Sequence, residues 1–306
     1  MNVRRIVRAL ALVAVAFAAG CASVTSGHAG IANERIGVCS WSWLKPMSGV
    51  AEDMEAAGVK GIHLALGPFI SPDGRHGGAE GEEALAFVKA KIAKGEWNVM
   101  STMIGMVGED YSTLETIRAT GGIVPDGTWE TNRRIVTRGA RLTQELGCHY
   151  MSTHAGFLDE SNAQALSKFI ERVRWMRDEC RKYDVELILE SGQETADDLY
   201  RFLDLVPGVG INFDPANMVL YDKGRPMDAL KLLYPRIRQV HVKDAFRTKV
   251  PGTWGEEVPW GEGEVGGRKF VAALEALGYK GNYVVEREAG SDRARDIRKA
   301  IKILEN

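Results

Sequence analysis

From Ile36 onward the chain alternates short apolar runs with longer amphipathic segments, and it does so eight times. The strand-like runs are residues 36–43, 61–66, 98–105, 149–156, 185–191, 209–216, 237–245 and 281–288. Helical spacing recurs at 48–57, 82–94, 129–146, 165–183, 196–205, 227–233, 267–277 and 291–304. In one of these segments Phe169, Val173, Met176 and Cys180 fall three and four residues apart and make a single apolar stripe. A strand followed by a helix must return to the same end of a sheet, so the repeat implies parallel pairing. Eight such units in roughly 250 residues fit a closed (β/α)8 TIM barrel. The competing fold is a doubly wound open sheet, but no Gly-x-Gly-x-x-Gly follows the first strand-like run. Residues 34–306 are therefore read as one barrel domain of α/β class, with 71–82 and 251–267 as loops.

The first 21 residues are set apart. Arg4, Arg5 and Arg8 precede an apolar run over 9–19, which is short for a bilayer span and suits a secretory signal. Ala18-Ala19-Gly20-Cys21 resembles a bacterial lipoprotein cleavage site, with Cys21 as the candidate lipid anchor. The expectation is export to the periplasm, free or membrane-anchored. Cys39, Cys148 and Cys180 are too widely spaced for a Cys-x-x-Cys site and are read as packing residues, a single disulfide among them remaining open. Lys and Arg number 39 against 41 Asp and Glu, so the net charge is -2 and there is no global field for nucleic acid.

In a barrel of this kind the reactive groups belong at the C-terminal strand ends. Glu190 closes the fifth strand-like run, Asp214 lies late in the sixth, His241 in the seventh and Glu286 in the eighth. Three carboxylates and an imidazole form a ligand set for one divalent cation, Mn²⁺ first, with Mg²⁺, Co²⁺ or Zn²⁺ as alternatives. A lone acid at a strand end has an ordinary explanation as a cap or salt-bridge partner. Four such groups on four consecutive strands do not, because burying several unpaired carboxylates together is costly. His154, His63 and Lys243 join the candidates at the ends of other runs, Lys243 being equally readable as a partner of Asp244. Trp41, Trp43 and Trp254 are candidates for a wall on which a sugar stacks, and equally for packing. Gln193 and Glu194 are read as facing the next helix, with Glu194 supporting its first turn, and Arg287 as an outward salt-bridge residue.

The stretches Glu190-Ser191-Gly192-Gln193-Glu194-Thr195, Asn212-Phe213-Asp214-Pro215-Ala216-Asn217-Met218, His241-Val242-Lys243-Asp244-Ala245, Gly261-Glu262-Gly263-Glu264-Val265 and Val285-Glu286-Arg287-Glu288 resemble the sugar phosphate isomerase/epimerase family of xylose-isomerase-like TIM barrels. The resemblance runs from about Ile36 to the C-terminus. It implies that Glu190 and Glu286 both hold the metal and serve as the catalytic acid/base pair, with Asp214 and His241 completing the ligands. Many members carry a second His three residues after the aspartate, where this chain has Asn217, a candidate substrate contact.

The chemistry expected is metal-assisted isomerisation or epimerisation of a small carbohydrate through α-proton abstraction and an enediolate. One glutamate removes the proton and the other returns it on the opposite face. His154, Lys243, Asn217, His63 and Trp41 are expected to meet the substrate. Export and the lack of a Gly-rich phosphate cradle favour a non-phosphorylated sugar or keto-sugar. Two alternatives stay open: a metal-dependent lyase or hydratase of 3-keto-glycosides, and an exported carbohydrate-binding protein without turnover. Whether two copies form a homodimer is also open.

Overall fold

The computed structural model describes residues 30–75 and 77–306. The export signal expected over 1–21, and Cys21 with it, lie outside the described residues. Eight parallel strands close on themselves: β1 (Ile36–Cys39), β2 (Gly61–Ala65), β3 (Asn98–Met103), β4 (Tyr150–Thr153), β5 (Glu186–Glu190), β6 (Gly210–Phe213), β7 (Ile237–Val242) and β8 (Asn282–Val285). Closure is made by β1 against β8, where Ile36, Gly37 and Val38 register with Tyr283, Val284 and Val285. That pairing settles the barrel over the open sheet. Every residue of β1 and β6 is buried, as strands covered by helices outside and side chains inside must be.

The helices are α1 (Met47–Ala57), α2 (Gly78–Ala93), α3 (Leu114–Thr120), α4 (Asp126–Glu145), α5 (Ala163–Arg181), α6 (Ala196–Leu205), α7 (Pro215–Leu220), α8 (Pro226–Leu233), α9 (Arg268–Ala276) and α10 (Arg293–Glu305). The α5 stripe is buried as its spacing requires, Phe169, Val173, Met176 and Cys180 all lying inside. Each such side chain removed from water contributes about 1.5–3 kcal/mol. Cys39, Cys148 and Cys180 are buried free thiols, with no disulfide among them.

The sequence reading and the structure part at the barrel mouth. Residues 215–216, read as strand, open α7 instead, because Pro215 sits at its first turn and the Asp214 side chain caps it. The seventh run breaks after Val242. Asp244–Phe246 turns out of the barrel and pairs antiparallel with Glu256–Val258, so the expected loop 251–267 carries a ribbon strand. The Asp244 carboxylate gathers the backbone amides of Ala245, Gly261 and Val265, which pins that loop to the strand end. Helix α2 starts inside the expected loop 71–82, and α3 was not legible.

Candidate metal centre

His241 is the centre of the arrangement. Its Nδ1 lies 3.5 Å from Glu190 Oε1, 3.6 Å from Asp214 Oδ2 and 3.3 Å from Glu286 Oε2. The four ligating atoms all fall within 4.8 Å of one another, and all four residues are buried. Asp214 divides its oxygens. Oδ1 accepts from the Asn217 amide at 2.9 Å as the cap of α7, while Oδ2 is buried without a hydrogen-bond partner. His241 Nδ1 is likewise buried and unpartnered. Two orphaned polar atoms facing each other among carboxylates, in an oxygen and imidazole donor set, fit a divalent cation.

The remaining groups balance charge. Glu190 accepts from Asn217 Nδ2 at 3.1 Å and lies 3.3 Å from His154 Nε2. Glu286 accepts from Trp41 Nε1 at 2.8 Å and from Lys243 Nζ at 2.9 Å. Burial would raise the Glu190 carboxyl, but His154 and His241 hold it well below the usual range. Lys243 and His241 likewise outweigh burial and depress Glu286. Asp214 has its cationic neighbours, Lys243 and His241, no closer than 3.6 Å, and burial outweighs them and raises it. Against burial, Glu286 and Glu190 lift His241 well above the usual imidazole range. The same contest lifts His154 to about 9, through Glu190.

The structure brings His154, Trp41, His63, Lys243 and Asn217 to the four candidate ligands and leaves Trp43, Trp254 and Arg287 with other partners. His154 and Trp41 are half-buried and stay within reach of a ligand. His63 is fully buried beneath His241, with Nδ1 3.1 Å from His241 Nε2, and burial pulls its imidazole down to about 3. It therefore holds a ring nitrogen and meets no substrate, a correction to the sequence reading. Lys243 pairs with Glu286 and, at 2.6 Å, Glu288, and not with Asp244. Asn217 bridges Glu190 and, at 3.5 Å, Lys243. Trp43 is buried, and Trp254 packs edge-on against Tyr221 at 4.8 Å. Arg287 pairs with Glu257 and Asp296, as an outward residue should. Glu194 stays in the β5–α6 loop, where Thr195 caps α6, and burial raises its carboxyl to about 7.

Two features escaped the sequence. The strand registers slip between Ile62 and His63 and between Ile211 and Asn212. Both slips aim a side chain at His241 Nε2, His63 at 3.1 Å and Asn212 at 3.0 Å. Tyr111 and Tyr221 also lie near the mouth. Burial raises the Tyr221 hydroxyl to about 12, with Glu190 and Glu288 adding to the effect. No periodic signal marks any of these.

A closed parallel barrel with a buried carboxylate and imidazole cluster at the C-terminal strand ends defines a metal-dependent barrel enzyme. The chain belongs to the xylose isomerase-like TIM barrel family, whose model matches residues 51–306. It is similar to a xylose isomerase domain protein from Planctomyces limnophilus, at 29% identity, a TM-score of 0.75, and coverage of 83% of this chain and 90% of that one. The E. coli 3-keto-D-glucoside 4-epimerase YcjR shares the fold at 15% identity and a TM-score of 0.66, over 88% of this chain and 98% of that one. The uncharacterized protein YihM of Escherichia coli (strain K12) is 40% identical over 67 residues. That match spans 22% of this chain and 20% of the relative, so the chain covers about a fifth of the curated relative.

Proposed function

We propose that this protein is a metal-dependent isomerase or epimerase of a non-phosphorylated sugar or keto-sugar, acting by α-proton abstraction. The observation that carries the reading is that Glu190, the last residue of β5, and Glu286, the first residue past β8, come from strands that lie to either side of β7 in the barrel order, and each reaches within 3.5 Å of His241 Nδ1. Glu190, Asp214, His241 and Glu286 would hold the cation, Mn²⁺ by choice of donors, and it would supply Lewis acidity toward a carbonyl and its neighbouring hydroxyl. The protein's own groups move the proton. One glutamate, as carboxylate, takes it from the carbon beside the carbonyl, while the other, carrying a proton taken up beforehand from solvent, gives that proton to the opposite face or the adjacent carbon, so that the two exchange protonation states over the turnover. His154 beside Glu190 and Lys243 beside Glu286 favour the ionised form of each, the form in which either serves as the base. Near-neutral charge supports a small substrate over a polyanion. The charged and apolar layout of residues 1–21 supports action outside the cytoplasm, free or anchored through Cys21.

Metal-reconstituted protein incubated with ketoses in D₂O is expected to place deuterium beside the carbonyl, as read by NMR. Glu190→Gln and Glu286→Gln should each lower that exchange by about 10²–10⁴-fold while leaving the circular dichroism unchanged. Wild-type exchange rates in both variants would remove the acid/base pair from the mechanism.

A further inference from the structure

The segments that follow β3, β4, β5 and β6 at the same end of the barrel line an open cavity of about 400 Å³. Its walls include Arg118, Phe157, Asp159, Ala165, Gln193 and Lys223. Small-molecule sites begin at about 300 Å³, so a sugar ring falls within its scale. The cavity shares its loops with the reacting groups: Phe157 lies three residues beyond His154, and Gln193 three beyond Glu190. Gln193 is buried, and its amide donates to the Tyr221 hydroxyl at 3.3 Å. Phe157 packs edge-on against the same Tyr221 ring at 5.9 Å, and Arg118 lies over Phe157 at 5.5 Å. Proton transfer between Glu190 and Glu286 uses none of these groups.

The lining suits one kind of ligand. An aromatic ring offers a surface for the C–H face of a sugar. Arg118 and Lys223 donate to hydroxyls, Asp159 accepts from them, and Gln193 does both. Asp159 in the same wall opposes a phosphate. We propose that this cavity is a subsite for a second sugar ring, so that the substrate is a disaccharide or glycoside whose carbonyl-bearing ring occupies the metal centre. The inference rests on the isomerase reading only for which ring reacts.

Titration calorimetry on the metal-reconstituted protein tests it, with maltulose and isomaltulose set against fructose, and maltose and cellobiose against glucose. At least one disaccharide should bind tenfold or more tightly than its component monosaccharide. Ala165→Trp, which fills the cavity from a half-exposed position on α5, should bring that disaccharide down to the monosaccharide's affinity. Arg118→Ala should do so in part, and serves if the tryptophan variant fails to fold. No disaccharide advantage in the wild type, or one that survives both substitutions, overturns the subsite. So does inorganic phosphate binding that Arg118→Ala abolishes while disaccharides gain nothing. Deuterium exchange separates the two readings. Exchange without a disaccharide advantage overturns the subsite alone, whereas an advantage lost in Ala165→Trp without any exchange keeps the subsite and overturns the isomerase.

Discussion

At the scale of single residues the site depends on which nitrogen of His241 carries the proton. To ligate through Nδ1 the imidazole must keep its hydrogen on Nε2, which lies 3.1 Å from His63 Nδ1 and 3.0 Å from Asn212 Nδ2; of these two nitrogens only that of His63 can accept it. Burial keeps His63 neutral, so it can accept. Partners of this kind are worth about 10–100-fold in metal affinity. His63→Ala should therefore weaken metal binding by that order in a chelator competition, and His63→Gln, which retains an acceptor, should recover part of it. Unchanged affinity in His63→Ala would return His63 to the role of packing residue. The four ligands were legible from sequence because each lies in or at the end of its own apolar run, on four consecutive strands. His63 lay in the same kind of position, yet its role was misread, since depth below the mouth depends on a register slip that leaves no mark in the composition.

At the scale of elements, the sequence revealed what period and burial dictate and missed what one capping side chain decides. The eight strands are runs that burial on both faces keeps apolar, and α5 keeps its stripe. The switch from β6 to α7 turns on Asp214 and Pro215, where an apolar run continues across the boundary and conceals it. The β5–α6 loop is equally specific. Gly192 has φ +127°, and a Cβ there would lie 2.2 Å from the Cβ of Asn217. Asn217 in turn holds Glu190. Gly192→Ala should lower stability by about 1–3 kcal/mol through backbone strain and should also lower turnover, because the displaced Asn217 releases a reacting carboxylate. Urea unfolding and kcat read the two effects separately. A loss of stability with kcat intact would show that Asn217 does not position Glu190.

At the scale of the whole molecule, the barrel buries three carboxylates at its mouth, and its stability depends on what neutralises them. In chelated protein that charge comes from Lys243, His154 and His241. His154, raised to about 9, and His241, raised well above the usual value of about 6.5, stabilise the fold fully below that usual value. The contribution is lost as pH rises through the folded values, which for His154 means a decline between about 6.5 and 9. The depressed Glu190 and Glu286 act in the opposite sense, stabilising above about 4.3 and losing the contribution as pH falls through their folded values. A divalent cation takes the place of the His241 proton, so the two compete and affinity rises with pH. Melting curves of chelated protein should therefore show Tm falling from pH 6.5 to 9. The gain in Tm on adding Mn²⁺ should widen over the same range, with saturation to 100 times Kd contributing about 2.7 kcal/mol. A chelated Tm that is flat or rising across that window, with a metal-induced gain independent of pH, would mean that the imidazole and the cation do not share one site.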